Sequence, residues 1–189
     1  MSEALVIRSA DQDDIPTIGY LAHTIWPEVY SSIIPQEQIQ YMLKMMYSPD
    51  ALEHQMESQE HQFIIAEIEG QEVGFAAYSK LKDATWKLHK LYVLPSMHGK
   101  GIGRALLDMV EEEVRTHQGA HLVLNVNKQN KAVRFYTSMG FEIEDEVVLD
   151  IVFSFLYVLV WSFLQDSFVR HHHSAVPDFH QMGAKVLLF

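Results

Sequence analysis

A strand, a short segment holding three glycines and a helix follow one another in the middle of this chain. That junction constrains the fold more than any other segment. Trp86-Lys87-Leu88-His89-Lys90-Leu91-Tyr92-Val93-Leu94 carries the aromatic and branched residues of a strand, and Pro95 ends it. Gly99-Lys100-Gly101-Ile102-Gly103 turns the chain. Arg104 to His117 then places Leu106, Leu107, Val110 and Val114 at helical spacing. Glycines in such a turn let backbone amides approach an anion, and the helix N-terminus adds the positive end of its dipole. Lys100 and Arg104 add formal charge, so the junction is a phosphate cradle on physical grounds. It lacks the Gly-Lys-Ser/Thr ending of a Walker loop. The spacing Gly99, Gly101, Gly103 also misses the dinucleotide fingerprint, and no repeated βαβ unit follows.

Around the junction the periodicities predict a mixed α/β (α+β) domain. Leu5 to Arg8 reads as a strand. Ser9-Ala10-Asp11 offers a cap to a helix through Ile15, Ile18, Leu21, Ala22 and Ile25, which Trp26-Pro27 is expected to break. Further helices start at Pro35 and at Ser48-Pro49. Gln62–Ile68 and Glu72–Ser79 form a hairpin about Glu69-Gly70-Gln71. A fifth strand covers His121–Val126, a helix covers Lys131–Met139 with Gly140 closing it, and a sixth strand starts at Phe141.

Charge is unevenly placed. Residues 1–79 hold 13 acids and 2 bases, residues 80–134 hold 10 bases and 5 acids, and residues 135–150 hold 5 acids and no base. The basic stretch contains the glycine turn and invites an anion, while the acidic first half invites a cation. The formal net charge of −11 disfavours nucleic acid as a partner.

Downstream of the turn lies Asn130-Lys131-Ala132-Val133-Arg134-Phe135-Tyr136-Thr137-Ser138-Met139-Gly140-Phe141. Together the two segments resemble the GNAT superfamily of acyl-CoA-dependent N-acyltransferases. His98-Gly99-Lys100-Gly101-Ile102-Gly103 matches its Q/R-x-x-G-x-G/A turn, and Asn130 to Phe141 matches N-x-A-x-x-F-Y-x-x-x-G-F. The resemblance covers residues 1–150. It implies a mixed, mostly antiparallel sheet flanked by helices and splayed around strands four and five. It implies acetyl-CoA as co-substrate and no metal. Leu91, Tyr92 and Val93 then correspond to the backbone that meets the pantetheine arm. His98, Gly99, Lys100, Gly101, Ile102, Gly103 and Arg104 correspond to the pyrophosphate turn, Asn130 to a cofactor contact, and Tyr136 to the proton donor for the leaving thiolate. The loosely similar branch is that of the spermidine/spermine acetyltransferases.

Two positions depart from the family pattern. His98 stands where Gln or Arg is usual. On the fifth strand, where some members carry an acidic base, this chain has Asn125, which takes no proton. The amine must lose its proton to water, through a relay, or to another residue. His89 is the first candidate, since its ordinary range suits the task, and Glu67 is a weaker one. On the acceptor side, Trp26 and Tyr30, with Tyr41, offer aromatic faces to a cation.

The expected activity is transfer of an acetyl group to a primary amine by direct attack in a ternary complex, with a small cationic amine or polyamine as acceptor. The alternatives are a non-catalytic acyl-CoA-binding regulatory domain, or an acyltransferase acting on a peptide N-terminus or amino sugar, or using a longer acyl chain. The chain has no cysteine, which excludes a cysteine acyl-enzyme and fits a reducing, cytoplasmic setting. The N-terminus shows no signal peptide. Residues 151–189 form an atypical tail. Ile151 to Leu164 is an uncharged run of 14 residues, short of the ~20 a membrane helix needs, so no membrane partner is expected. A long strand, a buried helix or a homodimer contact all remain open for it. His171-His172-His173 with His180 reads as tail and not as a metal site.

Overall fold

The structure, a computed structural model, describes residues 4–149 and 154–162. Strand β1 (Leu5–Ser9) leads through a 3-10 turn to helices α1 (Ile15–Tyr30), α2 (Gln36–Tyr47) and α3 (Pro49–Glu57). Strands β2 (Gln62–Ile68), β3 (Gln71–Lys80) and β4 (Thr85–Val93) follow, then α4 (Ile102–Thr116), β5 (His121–Asn127), α5 (Ala132–Ser138), β6 (Glu142–Leu149) and β7 (Ser154–Ser162). The strands make one sheet in the order β1-β2-β3-β4-β5-β7-β6. Only β4 and β5 run parallel among its neighbouring pairs.

Strand alternation sends neighbouring side chains to opposite faces, so the sheet has two cores. Ile64, Ala66, Ala76, Tyr78 and Leu88 pack with Leu106, Leu107, Val110 and Val114 of α4. Phe63, Ile65, Phe75, Ala77 and Tyr92 pack with α1, α2 and α3. The start of α1 is fixed by Arg8, which donates to both carboxylate oxygens of Asp14 at 2.7 and 2.8 Å.

Two expectations are corrected here. Helix α1 does not stop at Trp26-Pro27 but runs through them to Tyr30, with Pro27 inside it. The buried stripe Ile18, Leu21, Ala22, Ile25, Trp26, Tyr30 keeps helical spacing across the proline. Burial of two large aromatics outweighs one lost backbone hydrogen bond.

The sheet also continues beyond residue 150, where the sequence reading ends the domain. Strand β7 inserts between β5 and β6, pairing from Leu149↔Ser154 to Glu142↔Val160 on one side and from His121↔Ser162 to Asn127↔Leu156 on the other. Consecutive Leu159 and Val160 face opposite sides and are both buried. An uncharged run is what a strand covered on both faces requires. The histidines at 171–173 and 180 lie outside the described residues.

The α3-facing side of β3 and β4 buries a polar group. Lys90 Nζ donates to Gln55 Oε1 at 2.6 Å and lies 5.4 Å from the centre of the Tyr47 ring. Gln55 in turn donates to the Met46 carbonyl at 2.8 Å. Lys87 and Lys90 are 6% and 8% exposed. Loss of water pushes each ammonium down to about 7.

Two outcomes test this packing. Gly140 has φ 94°, and a Cβ placed there falls inside the ring of Trp161 on β7. Gly140→Ala is therefore expected to lose about 2 kcal/mol or more in urea unfolding. In a Trp161→Ala background only the backbone strain of ~1 kcal/mol should remain. An equal loss in both backgrounds would remove Trp161 from over the glycine.

The second outcome concerns pH. Between about 7 and the ordinary lysine value of 10.5 the folded chain binds fewer protons than the unfolded one, so stability rises with pH across that window. Below it both states carry the charge and the burial penalty stands in full. Neighbouring His61 is pushed down to about 3, and His89 lower still, so neither titrates there. Lys90→Met should raise the urea midpoint at neutral pH and flatten its climb towards about pH 9.5. An unchanged slope would assign the climb to other groups.

Candidate functional site

The site starts where β4 and β5 part. Their parallel ladder runs from Thr85↔His121 to Leu88↔Leu124 and stops. On the other edge of β4, Ala77 pairs with Lys90 and Tyr78 with Leu88, so His89 is the extra residue of a bulge. A bulge bends and twists the strand that carries it. Beyond it β4 leaves β5, and the β5-facing edge of residues 89–93 carries backbone groups outside the ladder. A cleft of about 790 Å³ opens there, walled by β4, β5, α1, the glycine turn and α5.

At one end the turn is built for an anion. Gly99 and Gly101 have φ 81° and 80°, a left-handed backbone that favours glycine, and a Cβ at either would meet nothing within 4 Å. The turn therefore leaves space beside its backbone at both glycines. Gly101 is the N-cap of α4 and offers no side-chain cap. Gly103 packs under Leu91 and Phe135, holding helix to strand. His98 replaces the usual Gln or Arg and binds the Val93 carbonyl through Nε2 at 3.0 Å, closing the turn onto β4. Arg104 and Lys131 line the rim; Lys100 is exposed on the turn and outside the cleft lining. The glycine turn, the helix end and the cations fit a coenzyme A pyrophosphate.

At the inner end stands Tyr136 of α5, 7% exposed, with Phe135 and Phe141 edge-on at 5.1 and 5.7 Å. Burial raises its phenol well above the ordinary tyrosine value, so it stays protonated at neutral pH. Asn130 lies in the same wall, where its Oδ1 accepts the Ala132 N–H at 2.9 Å and starts α5. Leu91, Tyr92, Val93, Ile102 and Tyr30 also line the cleft.

Four sequence candidates sit elsewhere or are otherwise engaged. Trp26 is fully buried behind the cleft, packed on Tyr30 at 4.6 Å and Tyr92 at 6.1 Å, so it is core and not a substrate face. Glu67 accepts from Arg8 Nε on the β1–β2 pair, away from the cleft. His89 borders the cleft, but its ring Nε2 is hydrogen-bonded with Ser79 Oγ at 2.8 Å and stacks on His61 at 3.8 Å. Burial, aided by His61, Lys87 and Lys90, pushes its pKa far below the ordinary histidine value. A proton placed there would be a desolvated cation beside two lysines, so the ring is a poor acceptor. Tyr41 is 55% exposed on α2 and takes no part in the lining.

Sequence reasoning missed Glu28. Ile25, Glu28, Val29, Ser32 and Ile33 form one stripe on and just beyond α1 that faces the cleft. Glu28 is the one carboxylate among the described lining residues. Its signal was the i, i+3, i+4, i+7 spacing, which a helix break at Pro27 conceals. Asn125 lines the β5 wall, as its position implies.

The profile of the acetyltransferase (GNAT) domain matches residues 31–152. The chain is 34% identical over 104 residues to an uncharacterised N-acetyltransferase of Methanocaldococcus jannaschii, covering 49% of this chain and 44% of that protein. It thus spans about half the length of the first curated relatives it matches. It is 25% identical over 147 residues to a spermidine N(1)-acetyltransferase of Thermoplasma acidophilum, covering 75% of this chain and 91% of that protein. Among solved structures, the PaiA N-acetyltransferase of Thermoplasma acidophilum in complex with coenzyme A superposes with a TM-score of 0.76 at 24% identity, over 85% of this chain and 99% of that one. The ribosomal-protein-S18-alanine N-acetyltransferase of Escherichia coli gives 0.65 at 18% identity, over 84% and 94%. These two share the fold. With the domain profile spanning α2 to α5, the glycine turn and the parted strands, the chain belongs to the GNAT acetyltransferase family.

Proposed function

We propose that this protein is an acetyl-CoA-dependent N-acetyltransferase that acetylates a small cationic primary amine, polyamines included, by direct attack in a ternary complex. The observation that carries the reading is one cleft joining the open glycine turn to a buried, protonated Tyr136. Coenzyme A in the relative's structure and the name of the spermidine-acetylating relative support it.

Bound acetyl-CoA supplies the acyl group. The amides of residues 99–104 hold its pyrophosphate, and Arg104 and Lys131 add cationic rim. The freed edge of β4 beyond Leu88 offers amide donors to an arm laid along it and to the oxygen that gains charge during attack. Tyr136 holds its proton until the departing sulphur needs it. Glu28 lines the cleft from α1, which this reading assigns to the acceptor. It attracts an ammonium group, while Ile25, Val29 and Ile33 pack along a methylene chain. Asn125 takes no proton, so the attacking nitrogen gives up its proton to water, through a relay or to another residue.

Release of coenzyme A, measured across polyamines, amino sugars, amino acids and peptide N-termini, tests the reading. Acetylation of a diamine or polyamine is expected, and no turnover with any amine despite coenzyme A binding would favour an acyl-CoA-binding regulatory domain, which Asn125 in place of an acid would suit. Tyr136→Phe should lower kcat about 100-fold with coenzyme A affinity retained. Glu28→Gln should raise KM for a diamine roughly 10-fold while leaving KM for a neutral-bodied monoamine near its parent value. Equal effects on both amines would take Glu28 out of acceptor recognition.

A further inference from the structure

Tyr30 is the one α1 side chain in the cleft lining that carries a ring. It is 5% exposed, and its hydroxyl lies 3.3 Å from that of Tyr92 on β4, itself 8% exposed. Both rings are fixed from behind by Trp26. The Asn130 side chain also meets the Tyr30 hydroxyl, from the β5–α5 loop on the far wall. Tyr30 therefore reaches from Tyr92 of β4 towards Asn130 of the β5–α5 loop at a level where no backbone ladder joins β4 to β5, because their pairing has ended at Leu88↔Leu124. Width at this level is set by side chains.

Asn130 is the link to the chemistry. Its Oδ1 accepts the first N–H of α5, so whatever fixes Asn130 fixes the start of that helix. Tyr136 sits one turn further on the same short helix and lines the same cleft as Tyr30.

We propose that Tyr30 is a positioning residue: its hydroxyl, held between Tyr92 and Asn130, straps the parted strands and sets where α5 presents Tyr136. The inference rests on the reading of Tyr136 as the proton donor. It assigns Tyr30 a task apart from contact with the acceptor amine. The strap costs no charge in a buried setting, since both phenols are held protonated by burial.

Tyr30→Phe removes the hydroxyl and keeps the ring that packs on Trp26. The test is a double-mutant cycle in the full chain, reading kcat from coenzyme A release with the best amine of the panel and coenzyme A affinity by calorimetry. Tyr30→Phe is expected to lower kcat on the order of 10-fold with KM for the amine and coenzyme A affinity within about twofold. In a Tyr136→Phe background the same change should cost less than about twofold, because a residue acting through Tyr136 has nothing left to position. Tyr92→Phe removes the 3.3 Å contact from the other side and should reproduce the result, which keeps the test available if one variant folds poorly.

An unchanged kcat in both single variants overturns the proposal. So does an equal loss with and without the Tyr136 hydroxyl, or a loss that lies in KM for the amine alone. A Tyr136→Phe enzyme with full activity would instead overturn the proton-donor reading, and this proposal with it.

Discussion

The parting of β4 from β5 is the physical event on which the rest of this molecule depends. Two parallel strands hydrogen-bonded along their whole length leave no room between them. Here the bulge at His89 adds one residue to β4 opposite β3, and pairing with β5 ceases next to it. The backbone groups released on that edge cannot stay buried and unpaired without cost. A ligand that offers donors and acceptors of its own can satisfy them. The fold thus trades part of a ladder for a binding wall. The glycine turn, α1 and α5 are arranged around that exchange.

Charge follows the same geometry. The cationic segment meets the cleft at the turn, while the one described carboxylate of the lining comes from α1. The lining thus carries cations from the turn and α5 and a carboxylate from α1, on separate elements of the fold. The lysines next to the bulge belong to another account. Lys87 and Lys90 are buried, and their ammonium groups are pushed down to about 7 because burial makes a full charge expensive; Lys90 faces α3, where Gln55 supplies only a neutral partner. Basic residues counted in one stretch of sequence therefore divide into a cationic rim and a buried pair.

Much of the site was legible because its chemistry is local. The turn needs glycines where φ is positive, and these stand at 99 and 101 whatever surrounds them. The helix after it and the Asn130-to-Phe141 segment carry their own spacing. Other features depend on contacts distant in sequence. Nothing beside Trp26-Pro27 says that α1 continues, because the reason is burial of Trp26 and Tyr30 against Tyr92 on β4. Reading a break there hid the stripe that presents Glu28. His89 has a suitable ordinary pKa for a base, yet the stacked His61, just before β2, and the Ser79 contact from β3 take that capacity away.

Amino-acid order alone determined the strand-turn-helix cradle, the position of Tyr136 and the absence of cysteine chemistry, since each rests on residue type and near-neighbour spacing. Tertiary structure decided where β4 and β5 separate, that the apolar run contributes a strand between β5 and β6, and which aromatics face the cleft. Burial is the physical reason for the difference. Local backbone preferences act over a few residues, whereas the raised pKa of the Tyr136 phenol, the lowered one of His89 and the placing of Trp26 in the core are set by what packs on them from elsewhere in the chain.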